Sequence, residues 1–108
     1  LQNKVWETPK FLVEAGVKIA ITTDSPVTPL NYLSLCAGLA HKAGLSEMDA
    51  LKAITINAAE ITGISNRVGS IEPGKDADIV IFDGNPIKDL DYHTYITIID
   101  GKIVYKRA

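Results

Sequence analysis

The first half of the chain spaces its apolar residues as helices do, with one strand-like run between them. The opening stretch predicts a helix with Thr8 as its N-cap, Pro9 at its first position and Gly16 just after its end. Residues 17–22 (VKIAIT) are β-branched and apolar at alternate positions, and they predict a strand. This run leads into a polar Thr-Asp-Ser-Pro loop, whose proline prevents simple continuation of strand pairing.

Two further helices are predicted in the middle of the chain. Residues 31–43 carry apolar groups on several sides of a helix, which indicates burial on more than one face. Ser46 and Asp49 have the spacing of a capping box and open the next helix, which is predicted to end near Gly63. That helix is predicted to bury one apolar stripe, formed by Met48, Leu51, Ile54, Ala58 and Ile61.

In the second half the pattern changes to the period of strands. The Glu-Pro-Gly-Lys sequence at 72–75 predicts a type II turn. The continuous apolar run at 79–82 predicts a strand buried on both faces. Asp100 and Gly101 separate two further strand-like segments and predict a tight hairpin. The order of elements therefore predicts an α/β chain: helix, strand, two helices and then a set of short strands.

Composition narrows the classes of function. The chain has 108 residues, of which 46% are hydrophobic and 22% charged, as in globular domains. Eleven basic residues against 13 acidic ones give a net charge of −2, which does not favour binding to nucleic acid or to a membrane surface. A single cysteine, Cys36, excludes an internal disulfide framework and a cysteine-based zinc cluster, and it is predicted to be a small core residue.

Asp24 is the first candidate for chemistry because it follows the predicted strand 17–22 directly. In α/β folds, ligands and catalytic groups gather at the carboxyl ends of strands. An acidic side chain there could bind a metal ion or act as a general base. The alternative is structural: the Asp24 side chain forms an Asx-turn with the backbone of Pro26 or Val27, or it caps the following turn.

The two histidines do not add a metal site to Asp24. His41 falls in the last turn of a predicted helix, where an imidazole suits the helix dipole. His93 lies in a polar turn and is predicted to be solvated. Neither has the spacing of a metal-binding motif. The turn carboxylates are also predicted to be solvated: Asp76, Asp78, Asp83, Asp89 and Asp91.

Residues 69–75 have the outline of a phosphate-binding P-loop, G-x-x-x-x-G-K. Asp76 stands where the motif needs Ser or Thr, and its carboxylate would repel phosphate. Pro73 removes one N–H, and the segment leads into a strand rather than a helix. The sequence therefore excludes nucleotide binding here and indicates a structural turn.

Four segments in fixed order resemble the C-terminal part of the metal-dependent amidohydrolase superfamily, in particular its imidazolonepropionase-related and dihydroorotase-like members. They are EAGVKIAITTDSP, AGLSEMDALKAITINAAEITGI, RVGSIEPGKDADIVIFDGNP and IIDGKIVYKR. The resemblance implies a (β/α)8 barrel flanked by a small β-sandwich. Residues 1–64 would be the last barrel strand and following helices, and residues 65–108 would be sandwich strands.

The resemblance also implies chemistry. Asp24 matches the aspartate that binds the metal and takes the proton from a metal-bound water, in a hydrolase of amide or cyclic amide C–N bonds. The implied cofactor is a divalent metal, namely zinc, with one or two ions. The implied partner is a small-molecule substrate, and the implied location is the cytoplasm.

This sequence departs from the family pattern in its length and its ligands. The family's other metal ligands, a His-x-His pair, a Lys or Glu and further histidines, have no counterpart here, and His41 and His93 match none of them. We therefore expect a fragment that is inactive alone and that self-associates or contacts an N-terminal portion. The alternative is a free-standing, non-catalytic binding or structural α/β module.

Overall fold

A computed structural model describes residues 6–108, and its elements follow the predicted order with two exceptions. Four helices and a 3₁₀ turn precede three strands. No helix among the described residues is both long and apolar enough to cross a membrane. The elements are α1 (Thr8–Glu14), the 3₁₀ turn (Leu30–Tyr32), α2 (Leu33–Lys42), α3 (Glu47–Ala53), α4 (Ile56–Thr62), β1 (Ile79–Phe82), β2 (Thr94–Ile99) and β3 (Lys102–Lys106).

Helix α1 begins one residue earlier than the sequence predicts. The N-cap is Glu7 rather than Thr8; its backbone angles are φ −78° and ψ −11°, and no side chain caps the helix. Pro9 lies in the first turn, as predicted. Gly16 follows the helix with a φ of 84°, which confirms its predicted role in ending it.

The first exception is segment 17–22, which was predicted to be a strand and forms none among the described residues. Its one backbone bond to a distant element runs from the Ile21 N–H to the Ala53 carbonyl at 3.0 Å. Ile19 and Ile21 pack against the hydrophobic core. A strand needs a hydrogen-bonded neighbour, and the three strands of the described part pair only with one another.

The single helix predicted from Ser46 to Gly63 is divided into α3 and α4. The Ser46 cap is confirmed, since its Oγ accepts a hydrogen bond from the Asp49 N–H at 3.0 Å. The interruption occurs at Thr55, whose φ of −131° and ψ of −101° are not helical. The Thr55 hydroxyl donates to the Leu51 carbonyl at 2.7 Å, while its N–H donates to Lys52 instead. The Thr55 hydroxyl thus takes the Leu51 carbonyl that the Thr55 N–H would bind in a continuous helix. Such side-chain bonds destabilise and bend helices.

The apolar stripe predicted to be buried on this helix is mostly exposed. Met48 is 58% exposed and Ile61 is 56% exposed. The buried positions are instead the small residues Ala50, Ala53 and Ala59. Helix α3 packs through its alanines against α2, because small side chains allow close approach of the two backbones.

The three strands form one antiparallel sheet in the order β1-β2-β3. Asp100 and Gly101 both have positive φ (51° and 76°), which confirms the predicted tight hairpin and matches a type I′ turn. The 72–75 turn is confirmed by a bond from the Lys75 N–H to the Glu72 carbonyl at 3.2 Å. The expected burial of β1 on both faces is wrong, because β1 lies at the sheet edge and its central residues are more than 40% exposed.

The hydrophobic core lies between α2, α3 and the loop that follows β1. Its buried members are Ala37, Ala40, Leu45, Ala50 and Ile87. Gly38 in α2 lies directly against the Ile87 backbone, where an added Cβ would stand 2.8 Å from the Ile87 carbonyl oxygen. The core therefore consists of three alanines with Leu45 and Ile87, and it joins both halves of the chain. Cys36, predicted to be a core residue, is only partly buried.

Candidate active site

Asp24 lies in a tight loop that directly follows segment 17–22. Its φ of 52° is in the left-handed region, which few non-glycine residues adopt. Two main-chain bonds close the loop: the Val27 N–H donates to the Asp24 carbonyl at 2.8 Å, and the Thr28 N–H donates to the Thr23 carbonyl at 3.2 Å. Thr23 is 6% exposed and anchors the loop to the interior.

The Asp24 carboxylate is exposed and has no hydrogen-bond partner among residues 6–108. The Asx-turn alternative is therefore wrong, because Val27 binds the main-chain carbonyl of Asp24 and not its side chain. The Asp24 N–H donates to Thr22 Oγ1 at 3.1 Å. The main chain thus holds this residue in place while both carboxylate oxygens stay available to a ligand or a proton.

The described residues place one free carboxylate at this site and not a complete set of metal ligands. No three His, Cys, Asp or Glu side chains of the described part cluster in a way that could hold a metal ion. A protein metal centre with a bound water needs about three protein ligands. A free carboxylate is chemically suited to be one of them, since its oxygens bind divalent cations and have no competing partner here.

The two histidines are engaged elsewhere. His41 lies in the last turn of α2, as predicted, and its Nδ1 bonds to the Leu45 carbonyl at 2.7 Å. His93 is exposed, and its Nδ1 lies 3.2 Å from an Asp83 carboxylate oxygen. Each histidine contacts a residue outside the Asp24 loop, so neither adds a ligand to the Asp24 site.

Asp83 forms a polar cluster at one end of the sheet that the sequence did not predict. Its carboxylate accepts a hydrogen bond from the His93 N–H at 2.5 Å and an ion pair from Arg107 Nη1 at 2.9 Å. The main-chain hydrogen bond from His93 lowers the pKa of Asp83, and the charges of His93 and Arg107 lower it further. This cluster joins the end of β1, the start of β2 and the residue after β3.

Replacing Asp83 by asparagine should therefore reduce stability in a pH-dependent way. A carboxyl whose pKa is lower in the folded state stabilises the fold above its unfolded pKa of about 3.9 and loses that contribution as the pH falls through the folded value. The variant should have a lower Tm than the wild type at pH 7, and the difference should shrink below about pH 3.9.

Asp91→Asn is the matched control, because Asp91 is exposed and makes no hydrogen bond within the described residues. Thermal unfolding followed by circular dichroism at several pH values measures the effect. A Tm difference of constant size from pH 7 to pH 2.5 would show that the Asp83 charge is not its cause.

The other turn carboxylates are mostly bonded to neighbouring groups. Asp76 pairs with Arg67 at 2.7 Å, Asp78 accepts from the Asp100 N–H at 2.8 Å, and Asp89 accepts from the Asn85 N–H at 2.8 Å. These bonds fasten turns to their neighbours. Most of the set is exposed, as predicted, and the bonds are an addition that the sequence did not predict.

The apparent P-loop at 69–75 is a structural turn. Lys75 Nζ donates to Ser70 Oγ at 2.6 Å and lies 3.1 Å from a Glu72 carboxylate oxygen. The Ser70 hydroxyl bond, followed by the contact with Lys75, lowers the pKa of Glu72. The cation of this segment is therefore already neutralised by a carboxylate, and the segment leads into β1. Both features agree with the exclusion of nucleotide binding.

Asp24 does not line either of two clefts formed by the described residues. An apolar cleft of about 740 Å³ lies between α3, α4 and β1. A second cleft of about 560 Å³ lies between α2 and the loop after β1. Neither of these two clefts therefore joins the Asp24 loop to a pocket.

Comparison with known proteins gives a consistent result. The sequence model of the amidohydrolase family matches residues 3–104. An imidazolonepropionase from Treponema denticola is 34% identical over 118 residues, which covers 100% of this chain and 28% of the relative.

Solved structures of two such proteins also superpose on this chain. An amidohydrolase from Thermotoga maritima superposes with a TM-score of 0.90 at 40% identity, covering 99% of this chain and 29% of that one. A Xaa-Pro dipeptidase superposes with a TM-score of 0.79 at 32% identity, covering 94% and 25%. The chain thus spans less than a third of the length of each of these relatives.

Proposed function

Since this chain belongs to the amidohydrolase family, we propose that it is part of a longer hydrolase that breaks C–N bonds in small molecules. The bond is an amide or cyclic amide. The relatives support this class, since one is an imidazolonepropionase and another a Xaa-Pro dipeptidase. The observation that carries the proposal is the Asp24 carboxylate, exposed and without a partner in residues 6–108.

In the proposed architecture, segment 17–22 is the last strand of a (β/α)8 barrel, and residues 65–108 belong to a small β-sandwich. Two observations support this. Segment 17–22 has a strand-like sequence but no strand partner among the described residues. The three-stranded sheet also leaves much of β1 exposed. Both elements therefore need neighbours from outside the described residues, which a longer protein or a second copy of the chain would provide.

The proposed role of Asp24 has two parts. Its carboxylate is one ligand of a divalent metal, namely zinc, whose chemistry is to lower the pKa of a bound water towards about 7. The same carboxylate accepts a proton from the attacking water and later delivers it to the leaving nitrogen. A carboxylate with no hydrogen bond of its own is suited to this, because no donor competes for the oxygen that must take the proton.

Metal removal tests the proposal on the full-length protein. We expect it to hydrolyse at least one member of a panel of dipeptides, N-acyl amino acids and cyclic amides. Dialysis against a chelator should abolish this activity, and added Zn²⁺ should restore it. Elemental analysis before dialysis should find about one to two divalent ions per chain.

Two results would count against the proposal. Activity that persists in metal-free protein would overturn the role of the metal. A metal-containing protein that hydrolyses none of the C–N bonds in the panel would favour the alternative, a non-catalytic binding or structural module.

A further inference from the structure

We propose that Thr22 is a positioning residue that holds the Asp24 backbone and thereby fixes the point and direction from which the Asp24 side chain extends. Thr22 Oγ1 accepts a hydrogen bond from the Asp24 N–H at 3.1 Å, across two positions of the chain. Asp24, whose N–H donates this bond, has a φ of 52°, a conformation that few residues other than glycine adopt. The inference rests on the proposed function of Asp24.

The Thr22 hydroxyl is the only side-chain group among the described residues that hydrogen-bonds to Asp24. The two other bonds that close the loop, from Val27 and Thr28, join main-chain atoms, and a side-chain substitution does not remove them. The Thr22 hydroxyl therefore restrains the Asp24 backbone through one hydrogen bond, and a single substitution at Thr22 removes that bond.

The bond acts on the carboxylate because nothing else among the described residues holds it. A side chain with its own hydrogen-bond partners would keep its direction when the backbone shifts slightly. The Asp24 carboxylate has no such partner in residues 6–108, so the main chain alone sets its position: it fixes the Cα–Cβ direction, about which the carboxylate rotates. A displacement of about 1 Å in a reacting group can lower the rate of turnover by about 100-fold.

Substitutions at Thr22 in the full-length protein separate positioning from general loss of structure. Thr22→Val keeps the shape of the side chain and removes the acceptor, and Thr22 is exposed, so the valine should fold. Thr22→Ser keeps the acceptor. Thr28→Val is the matched control, because the Thr28 hydroxyl makes no hydrogen bond within the described residues.

We expect Thr22→Val to lower kcat by about 10- to 100-fold with KM changed less than about twofold. Thr22→Ser should stay within about threefold of the wild type, and Thr28→Val should be unchanged. In amide hydrogen exchange, the Asp24 N–H should exchange faster in Thr22→Val than in Thr22→Ser, while the Val27 N–H should not. If Thr22→Val does not fold, Thr22→Ala takes its place in both measurements.

Wild-type kcat and Asp24 exchange in Thr22→Val would overturn the positioning role. Equal losses in the valine and serine variants would overturn it too, because the hydroxyl would not be the cause. An equal loss in Thr28→Val would mean that any change in the loop is damaging. The proposed function fails separately, if the wild-type protein has no hydrolase activity, and the exchange measurement still tests the Thr22 bond in that case.

Discussion

Replacing Asp24 by asparagine in the full-length protein should lower kcat by about 10²- to 10⁴-fold, the range that a general base contributes. Asparagine has the size of aspartate but does not accept a proton at neutral pH, and its neutral oxygen is a weaker metal ligand. The fold should be unaffected, because the carboxylate makes no hydrogen bond to any described residue. Steady-state kinetics and Tm, measured on the same preparation, check both parts.

Asp91→Asn is the control for the loss of one negative charge from an exposed loop, and it should leave kcat unchanged. Metal content adds a second measurement, since the loss of one ligand should also weaken metal retention during dialysis. Near-wild-type turnover in the Asp24 variant would remove this residue from the mechanism.

Replacing Gly69 by alanine should strongly reduce stability. Gly69 has a φ of 101°, and an added Cβ would stand 2.7 Å from the Ala59 Cβ and 3.1 Å from the Ile56 Cα. Both contacts belong to α4, so relief of the clash needs a movement of that helix. The unfavourable backbone costs about 1–2 kcal/mol, and overpacking costs about 1–3 kcal/mol more. Urea unfolding of the full-length protein measures the loss.

Gly74→Ala is the matched control for the conformational part. Gly74 has a φ of 90°, and an added Cβ there would meet nothing within 4 Å. This variant should lose only about 1–2 kcal/mol. If the two alanine variants are equally stable, close packing of residue 69 on α4 contributes nothing to the free energy of unfolding.

Structural features that depend on a few neighbouring residues form as the sequence predicts. The Ser46 cap, the turn at 72–75 and the Asp100–Gly101 hairpin all form as predicted. Each depends on backbone geometry that the residue types themselves prefer, such as positive φ at glycine. The family was also readable, because four long segments occur in a fixed order.

Other features depended on partners distant in the chain. Periodicity predicted that the stripe from Met48 to Ile61 is buried, but the close packing of α2 and α3 selects the small face of α3. Segment 17–22 was predicted to be a strand and is not one among the described residues. Its alternating pattern suits a strand, but a strand also needs a hydrogen-bonded neighbour, which the pattern does not provide. The Asp83 cluster joins residues 10 and 24 positions apart in the chain, and no local pattern marks such a contact.

The sequence by itself determined the turns, the Ser46 cap, the order of most elements and Asp24 as the candidate catalytic residue, because these follow from local residue preferences and from a long resemblance. Only the tertiary structure decided that the Asp24 carboxylate is unpaired among the described residues and that Thr22 holds its backbone. The physical reason is that burial and hydrogen-bond pairing depend on what surrounds a residue in space, whereas a sequence pattern records only what that residue prefers.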